Sequence, residues 1–104
     1  MKMHQVSYFL ALCKDKSFTR AAERCGVKQP TLTRAIQELE REIGGRLFSR
    51  SKTNTELTVL GDLIRPDLAR IGRAAAVAKR KAARALAVHF PETQTEQWSQ
   101  QCAQ

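Results

Sequence analysis

Residues 17–45 have the sequence SFTRAAERCGVKQPTLTRAIQELEREIGG, and this stretch decides the fold. Apolar residues three and four positions apart in its first part predict a short helix, and Gly26 supplies the positive φ that a tight helix exit requires. Pro30 then opens a second helix, predicted over residues 30–43, because a proline in the first turn costs no helical hydrogen bond. Two helices joined by such a turn predict a helix-turn-helix over residues 19–41, although an αα-corner of any helical protein has the same outline.

The outward face of the second helix carries side chains that suit the edges of DNA bases. Gln29 can form two hydrogen bonds with adenine, and Arg34 can do the same with guanine. The methyl groups of Thr31 and Thr33 can meet thymine methyls while their hydroxyls hydrogen-bond. Each good bidentate pair would contribute roughly 1–3 kcal/mol of base discrimination. This chemistry favours sequence-specific binding of double-stranded DNA.

The order of charges along this helix supports the same interpretation. A helix macrodipole favours acids at the start and bases at the end. Here Lys28 and Arg34 come first, and Glu38, Glu40 and Glu42 follow. Basic residues placed against the dipole indicate an external anion, and the acids would lie away from it.

Basic and hydroxyl residues also flank the helix on both sides, where they could contact DNA phosphates. Taken alone, any one of them is more simply interpreted as part of a solvated surface. The predicted phosphate-contacting and wing residues are Ser17, Thr19, Arg20, Lys28, Arg50 and Lys52.

Composition limits the other classes of function. The chain has 104 residues, a net charge of +8 and a pI near 10.0, which suit a polyanionic partner. It has no apolar run long enough to span a membrane and no signal-peptide pattern, so we expect a cytoplasmic protein. Three cysteines without a C-x-x-C pair predict reduced thiols, not a metal site. We find no nucleophile–base pattern or phosphate loop, so the sequence predicts no enzyme, metal or cofactor.

Three segments differ in character and predict an all-α winged helix-turn-helix followed by a long helix. Residues 1–58 would form the DNA-binding domain, with a first helix over residues 4–15 and a small β-hairpin wing over residues 47–58. Residues 59–88 read as one long Ala/Arg-rich helix, and residues 89–104 form a polar tail that is either a short helix or disordered. Within the first helix, the expected apolar stripe is Val6, Phe9, Leu10 and Cys13.

The long helix has two possible roles. Its apolar residues recur every three or four positions, which is typical of a dimerisation seam. The seam residues are Leu60, Ile64, Leu68, Ile71, Ala75 and Ala78. Residues 68–86 also contain six basic residues and no acid, so the alternative is a protein-interaction or nonspecific DNA-coating module. A membrane is a poor partner, because a mostly alanine face buries too little area.

Several motifs carry a family resemblance without a gap over residues 5–61. S-F-T-x-A-A begins at Ser17, V-x-Q-P at Val27, and L-E-x-x-x-G-x-x-L-F-x-R at Leu39. Together they resemble the amino-terminal domain of LysR-type transcriptional regulators. The combination is highly specific, although each motif alone would be weak.

The resemblance implies a homodimeric, bacterial, nucleoid-associated regulator of transcription that reads two half-sites of an interrupted palindrome. It adds Pro30 to the base-reading set of Gln29, Thr31, Thr33 and Arg34, and it places Arg50 and Lys52 at the wing. Such regulators carry an effector-binding domain, for which 104 residues leave no room, so we expect no small-molecule effector on this chain.

The chain departs from the family pattern at three positions. Lys28 stands where serine is usual, which would cost about 1 kcal/mol of helix capping. Lys16 replaces a usual glycine at the end of the first helix. Cys25 replaces a usual leucine, so we expect looser packing around Cys25.

Overall fold

The computed structural model describes residues 1–50 and 54–89, and within them it contains the helices and the hairpin that the sequence predicts. The prediction of a short helix or disorder in the polar tail lies outside the described residues. The second helix of the predicted helix-turn-helix begins at Gln29, one position earlier than predicted. The elements are α1 (Met3–Asp15), α2 (Phe18–Cys25), α3 (Gln29–Ile43), β1 (Phe48–Arg50), β2 (Thr55–Leu57) and α4 (Val59–His89).

The two short connections between the first three helices are each closed by a residue in the left-handed region. Gly26 ends α2 at φ 68°, as predicted for a tight exit. Lys16 ends α1 at φ 53° and is the one residue other than glycine with positive φ in residues 1–50 and 54–89. The Ser17 hydroxyl accepts a hydrogen bond from the Arg20 backbone N–H and so caps α2.

The core lies where α1, α3, the hairpin and the start of α4 meet. The predicted stripe on α1 is too narrow, because Leu12 is fully buried whereas Leu10 and Cys13 lie at the edge of the core. The rings of Phe9 and Phe48 pack at 5.4 Å between centroids and join α1 to β1. The fully buried large side chains are Val6, Phe9, Leu12, Leu32, Ile36, Leu39, Leu47 and Phe48.

The predicted wing is present as an antiparallel pair of strands, with Phe48 opposite Leu57 and Arg50 opposite Thr55. Thr58 fastens the hairpin to the next helix. Its backbone N–H donates to the Leu47 carbonyl at 2.9 Å, and its hydroxyl donates to the Arg46 carbonyl at 2.6 Å. The same hydroxyl accepts the Gly61 N–H and caps the first turn of α4.

Helix α4 contributes to two compact units, Met1–Gly72 and Arg73–Gln104. The first unit therefore extends beyond the boundary expected after residue 58. Within it, Leu68 is 3 % exposed, and Leu60 and Ile64 pack against the same core. Leu68 is thus covered by its own chain, whereas Leu60 and Ile64 are half-buried, and the intermolecular seam stays a prediction.

The second unit, over residues 73–89, is a helix with a mostly exposed surface. Ala75 is half-buried and Ala78 is exposed, so neither is covered by a core as Leu68 is. Val77, Leu86 and Val88 also present apolar surface to solvent. Over the described ranges, 1–50 and 54–89, we find no helix with the length and hydropathy needed to cross a bilayer.

Candidate nucleic-acid interface

Helix α3 begins without a side-chain cap. Lys28 occupies the cap position in an extended conformation, and its side chain makes no capping hydrogen bond. Pro30 has no N–H to satisfy, and the Thr31 N–H already bonds to the Lys28 carbonyl at 3.1 Å. The missing cap therefore costs less than the ~1 kcal/mol expected for a helix start with free donors.

An open groove of about 490 Å³ runs along the first half of α3, and we call it the reading groove. It is lined by Gln29, Pro30, Thr33, Arg34 and Gln37. The sequence proposed the first four of these for base contact, and Thr31 is exposed on the same helix without lining the groove. Gln37 was missing from that set, although its position four residues after Thr33 is the signal that would have included it.

Thr19 has a hydrogen-bond partner within the chain, and its predicted contact with a DNA phosphate stays a prediction. Its hydroxyl donates a hydrogen bond to Oε1 of Gln29 at 3.3 Å. This contact orients the amide, while the second lone pair of Oε1 and both amide hydrogens remain available to a base. Thr19 therefore acts on the reading groove by positioning Gln29.

The basic residues of α2 are not equivalent. Arg20 is exposed, whereas Arg24 forms a bidentate pair with Asp15 at 2.8 and 2.9 Å. The hydrogen bond from Arg24 holds the pKa of the Asp15 carboxyl below its ordinary value. Arg24 is thus neutralised by its own chain, and Arg20 is the free cation on this helix.

The wing approaches α2 through Arg50. The Arg50 guanidinium lies 4.6 Å from the centroid of the Phe18 ring, within the range of a cation–π contact. This contact holds the end of β1 beside the start of α2 while leaving Arg50 exposed. Lys52, the other residue proposed for the wing, lies outside the described residues.

Each of the three acids of α3 accepts a hydrogen bond from a donor of its own chain. Glu42 pairs with the Met1 amino group at 2.6 Å, and Glu38 accepts from the buried amide of Gln5 at 3.3 Å. Glu40 accepts from the backbone N–H of Leu47 at 2.7 Å and, more weakly, from that of Phe48 at 3.4 Å. Internal donors therefore offset negative charge that would otherwise repel a polyanion.

The two described cysteines are protonated thiols at neutral pH. Burial raises the pKa of Cys13 to about 11, and burial also raises the pKa of Cys25. Within residues 1–50 and 54–89, no group of three or more His, Cys, Asp or Glu side chains could hold a metal ion. Cys25 lies half-buried against the core, where the family pattern has a larger residue.

Comparison with known proteins identifies the arrangement. The HTH-type transcriptional regulator TfdT of Cupriavidus pinatubonensis is 43 % identical over 67 residues, which cover 64 % of this chain and 29 % of TfdT. The chain spans 21 to 50 % of the length of the first curated relatives that it matches.

Solved structures show the same fold bound to DNA. The CbnR_DBD–DNA complex superposes with a TM-score of 0.73 at 34 % identity, covering 82 % of this chain and 98 % of that one. The BenM_DBD complex with catB site 1 DNA gives 0.77 at 28 % identity, covering 86 % and 99 %. Residues 3–62 match the family described as bacterial regulatory helix-turn-helix protein, lysR family. The chain therefore belongs to the lysR family of bacterial regulatory helix-turn-helix proteins.

Proposed function

We propose that this chain binds double-stranded DNA in a sequence-specific manner through α3 and thereby regulates transcription. The observation that carries the proposal is the reading groove, which places Gln29, Thr33 and Arg34 on one open face. These are the side-chain types that discriminate base edges in the major groove. The relatives support it, since TfdT is named a transcriptional regulator and the CbnR and BenM domains were solved with DNA.

Within this proposal, the segments have separate roles. Residues 1–58 contact DNA, with Pro30 and Thr31 beside the groove side chains. The proposed phosphate contacts are those of Ser17, Thr19, Arg20, Lys28, Arg50 and Lys52. Residues 59–88 mediate a homodimer, whose apolar contacts would come from exposed side chains of α4 in each unit. These are Leu63 and Ile71 in the first unit and Val77 and Leu86 in the second. A two-fold dimer would read an interrupted palindrome.

The proposed activity is binding alone, in the bacterial cytoplasm, with no enzymatic step and no small-molecule effector held by these residues. Small ligands usually occupy concave, largely apolar sites. The reading groove is open and lined mostly by polar side chains, as a nucleic acid would require.

Selection of bound fragments from random duplex DNA tests the proposal, with each binding measurement repeated across a salt titration. We expect an enriched sequence with two-fold symmetry, and an affinity whose logarithm falls linearly with the logarithm of salt concentration. Binding that enriches no sequence would contradict specific regulation and leave the DNA-coating alternative.

A matched pair of variants separates the two functions. Arg34→Ala removes a groove side chain and should relax the selected sequence at one position, at a cost of roughly 1–3 kcal/mol. Lys79→Ala removes an exposed cation of the second unit and should leave the selected sequence unchanged. If only Lys79→Ala weakens binding, the basic helix over residues 68–86 is the binding element.

A further inference from the structure

A second concavity, of about 670 Å³, lies where the last turns of α3 meet β1, and we call it the basic cleft. Arg41, Arg46 and Arg50 line it. Gln37 lines both the basic cleft and the reading groove, so the two form one continuous surface along α3. The other residues that line the reading groove, Gln29, Pro30, Thr33 and Arg34, do not line the cleft.

The cleft carries a positive charge that its own acid does not cancel directly. Glu40 also lines the cleft, but one of its carboxylate oxygens accepts the backbone N–H groups of Leu47 and Phe48. Arg41 and Arg46 are exposed, and within residues 1–50 and 54–89 no carboxylate forms a salt bridge with either guanidinium. Both cations are therefore available to an external anion.

The floor of the cleft leaves room for an extended ligand. Gly44 adopts φ 92° at the end of α3, and a Cβ added there would meet nothing within 4 Å. Gly44 and Gly45 both line the cleft, so its floor is formed partly by bare backbone. A phosphodiester chain could approach this floor more closely than it could approach a wall of side chains.

The spacing along α3 indicates which part of DNA would reach the cleft. Arg41 lies seven residues after Arg34, which is about 10 Å along a helix axis. The major groove is about 12 Å wide. If the axis of α3 crosses the groove when Arg34 contacts a base edge, a side chain two turns further along reaches the groove's border, where the sugar–phosphate backbone runs.

We infer that the basic cleft binds the phosphodiester backbone of DNA at the border of each half-site, through Arg41 and Arg46. The inference rests on the proposed function and extends it to residues that make no base contact. Contacts of this kind fix the register of a protein on DNA and add affinity without reading sequence. Arg50 would join the same strand from the wing side of the cleft.

The double variant Arg41→Gln/Arg46→Gln tests the inference in the full chain, using the duplex selected by the wild-type protein. The slope of log affinity against log salt should become shallower by about one for each arginine. Affinity at 0.1 M salt should fall roughly tenfold per arginine, as expected for loss of one charge-assisted hydrogen bond. The selected sequence should stay the same. In ethylation interference, ethylation of the flanking phosphates should block binding of the wild-type protein. This interference should disappear with the variant.

The matched control is Arg73→Gln/Arg80→Gln, which removes the same charge from exposed positions of the second unit. An equal loss of slope in the control would assign the effect to net charge and overturn the inference. An unchanged slope in the cleft variant, with specific wild-type binding intact, would also overturn it. Thermal unfolding followed by circular dichroism confirms that both variants fold. Failure of the proposed function appears separately, as absence of an enriched sequence with the wild-type protein.

Discussion

The two halves of α4 share one periodic pattern and have different surroundings. In the first half, Leu60, Ile64 and Leu68 pack against the core beside α1 and the hairpin. In the second half, the same register carries Ala75 and Ala78, and the larger apolar side chains Val77 and Leu86 are exposed. Side-chain volume does not account for the difference, because Val77 and Leu86 are large and still exposed. The first half has a core of its own chain to pack against. Helical periodicity alone does not distinguish an intramolecular face from an intermolecular one.

The largest effect should follow removal of a large side chain from the packed half. Leu68→Ala would leave a cavity in the core and should destabilise the chain by about 2–5 kcal/mol. Leu86→Ala is the matched change in the exposed half and should cost less than about 1 kcal/mol in the monomer, at protein concentrations too low for self-association. Thermal or urea unfolding measures both. A large cost for Leu86→Ala that grows with protein concentration would show that the exposed half is covered by a second copy.

Two glycines of α4 sharpen the same contrast. A Cβ at Gly61 would lie 2.4 Å from the Leu47 carbonyl oxygen, so Gly61→Ala must displace the backbone that leads into β1. We expect a loss of about 1–3 kcal/mol. A Cβ at Gly72 would meet only the end of the Leu10 side chain, which can move. Gly72→Ala should therefore be close to neutral or stabilise by up to about 1 kcal/mol. Equal destabilisation by both would contradict the contact at Gly61.

Self-association of the second half should depend on salt. Its only charged side chains before residue 89 are basic, so two copies would repel at low ionic strength. Screening acts over about 30 Å at 0.01 M salt and about 3 Å at 1 M. We expect the dimer fraction at micromolar protein to rise several-fold over this range in sedimentation experiments. Lys79→Gln/Lys81→Gln should shift the transition to lower salt. A tight dimer that is insensitive to salt would contradict this account.

The smallest effect concerns pH and belongs to the first unit. The Arg24 hydrogen bond lowers the pKa of Asp15 in the folded chain, so the pair stabilises the fold at pH values above the pKa of this carboxyl in the unfolded chain. That contribution is lost as the pH falls through the lower folded pKa. Asp15→Asn and Arg24→Gln should each flatten this part of the stability–pH curve slightly, because the Arg24 side chain is about half exposed to solvent. Together they should have no more effect than either alone.

Local patterns predicted the elements of this fold well. Apolar spacing, Gly26 and Pro30 located α2 and α3, and short alternation located the wing. The apolar stripe predicted on α1 omits Leu12, because spacing alone does not show that this side chain also faces the core. The boundary of the first unit also lay beyond prediction, since it depends on which residues α4 meets in three dimensions.

The site was predictable as a face and less so as a set of contacts. Helical geometry was sufficient to propose Gln29, Thr33 and Arg34 as neighbours, and the structure places them in one groove. The Thr19–Gln29 hydrogen bond joins side chains from α2 and α3, and its formation depends on how closely the two helices approach. The contact of Arg50 with Phe18 likewise depends on the path of the hairpin across α2. No spacing rule within one segment contains that information.

The carboxylate of Glu40 has a further consequence for the operator. It belongs to the recognition helix, yet its hydrogen bonds hold the first residues of the wing strand. Helix and wing therefore keep a fixed separation, and any bases that they contact must keep a fixed separation too. Inserting one base pair between the segment that the helix contacts and the segment that the wing contacts would shift one segment by about 3.4 Å relative to the other and rotate it. Only one of the two contacts could then form. Under the proposed function, operator length within each half-site would be set by a side chain that need not touch DNA.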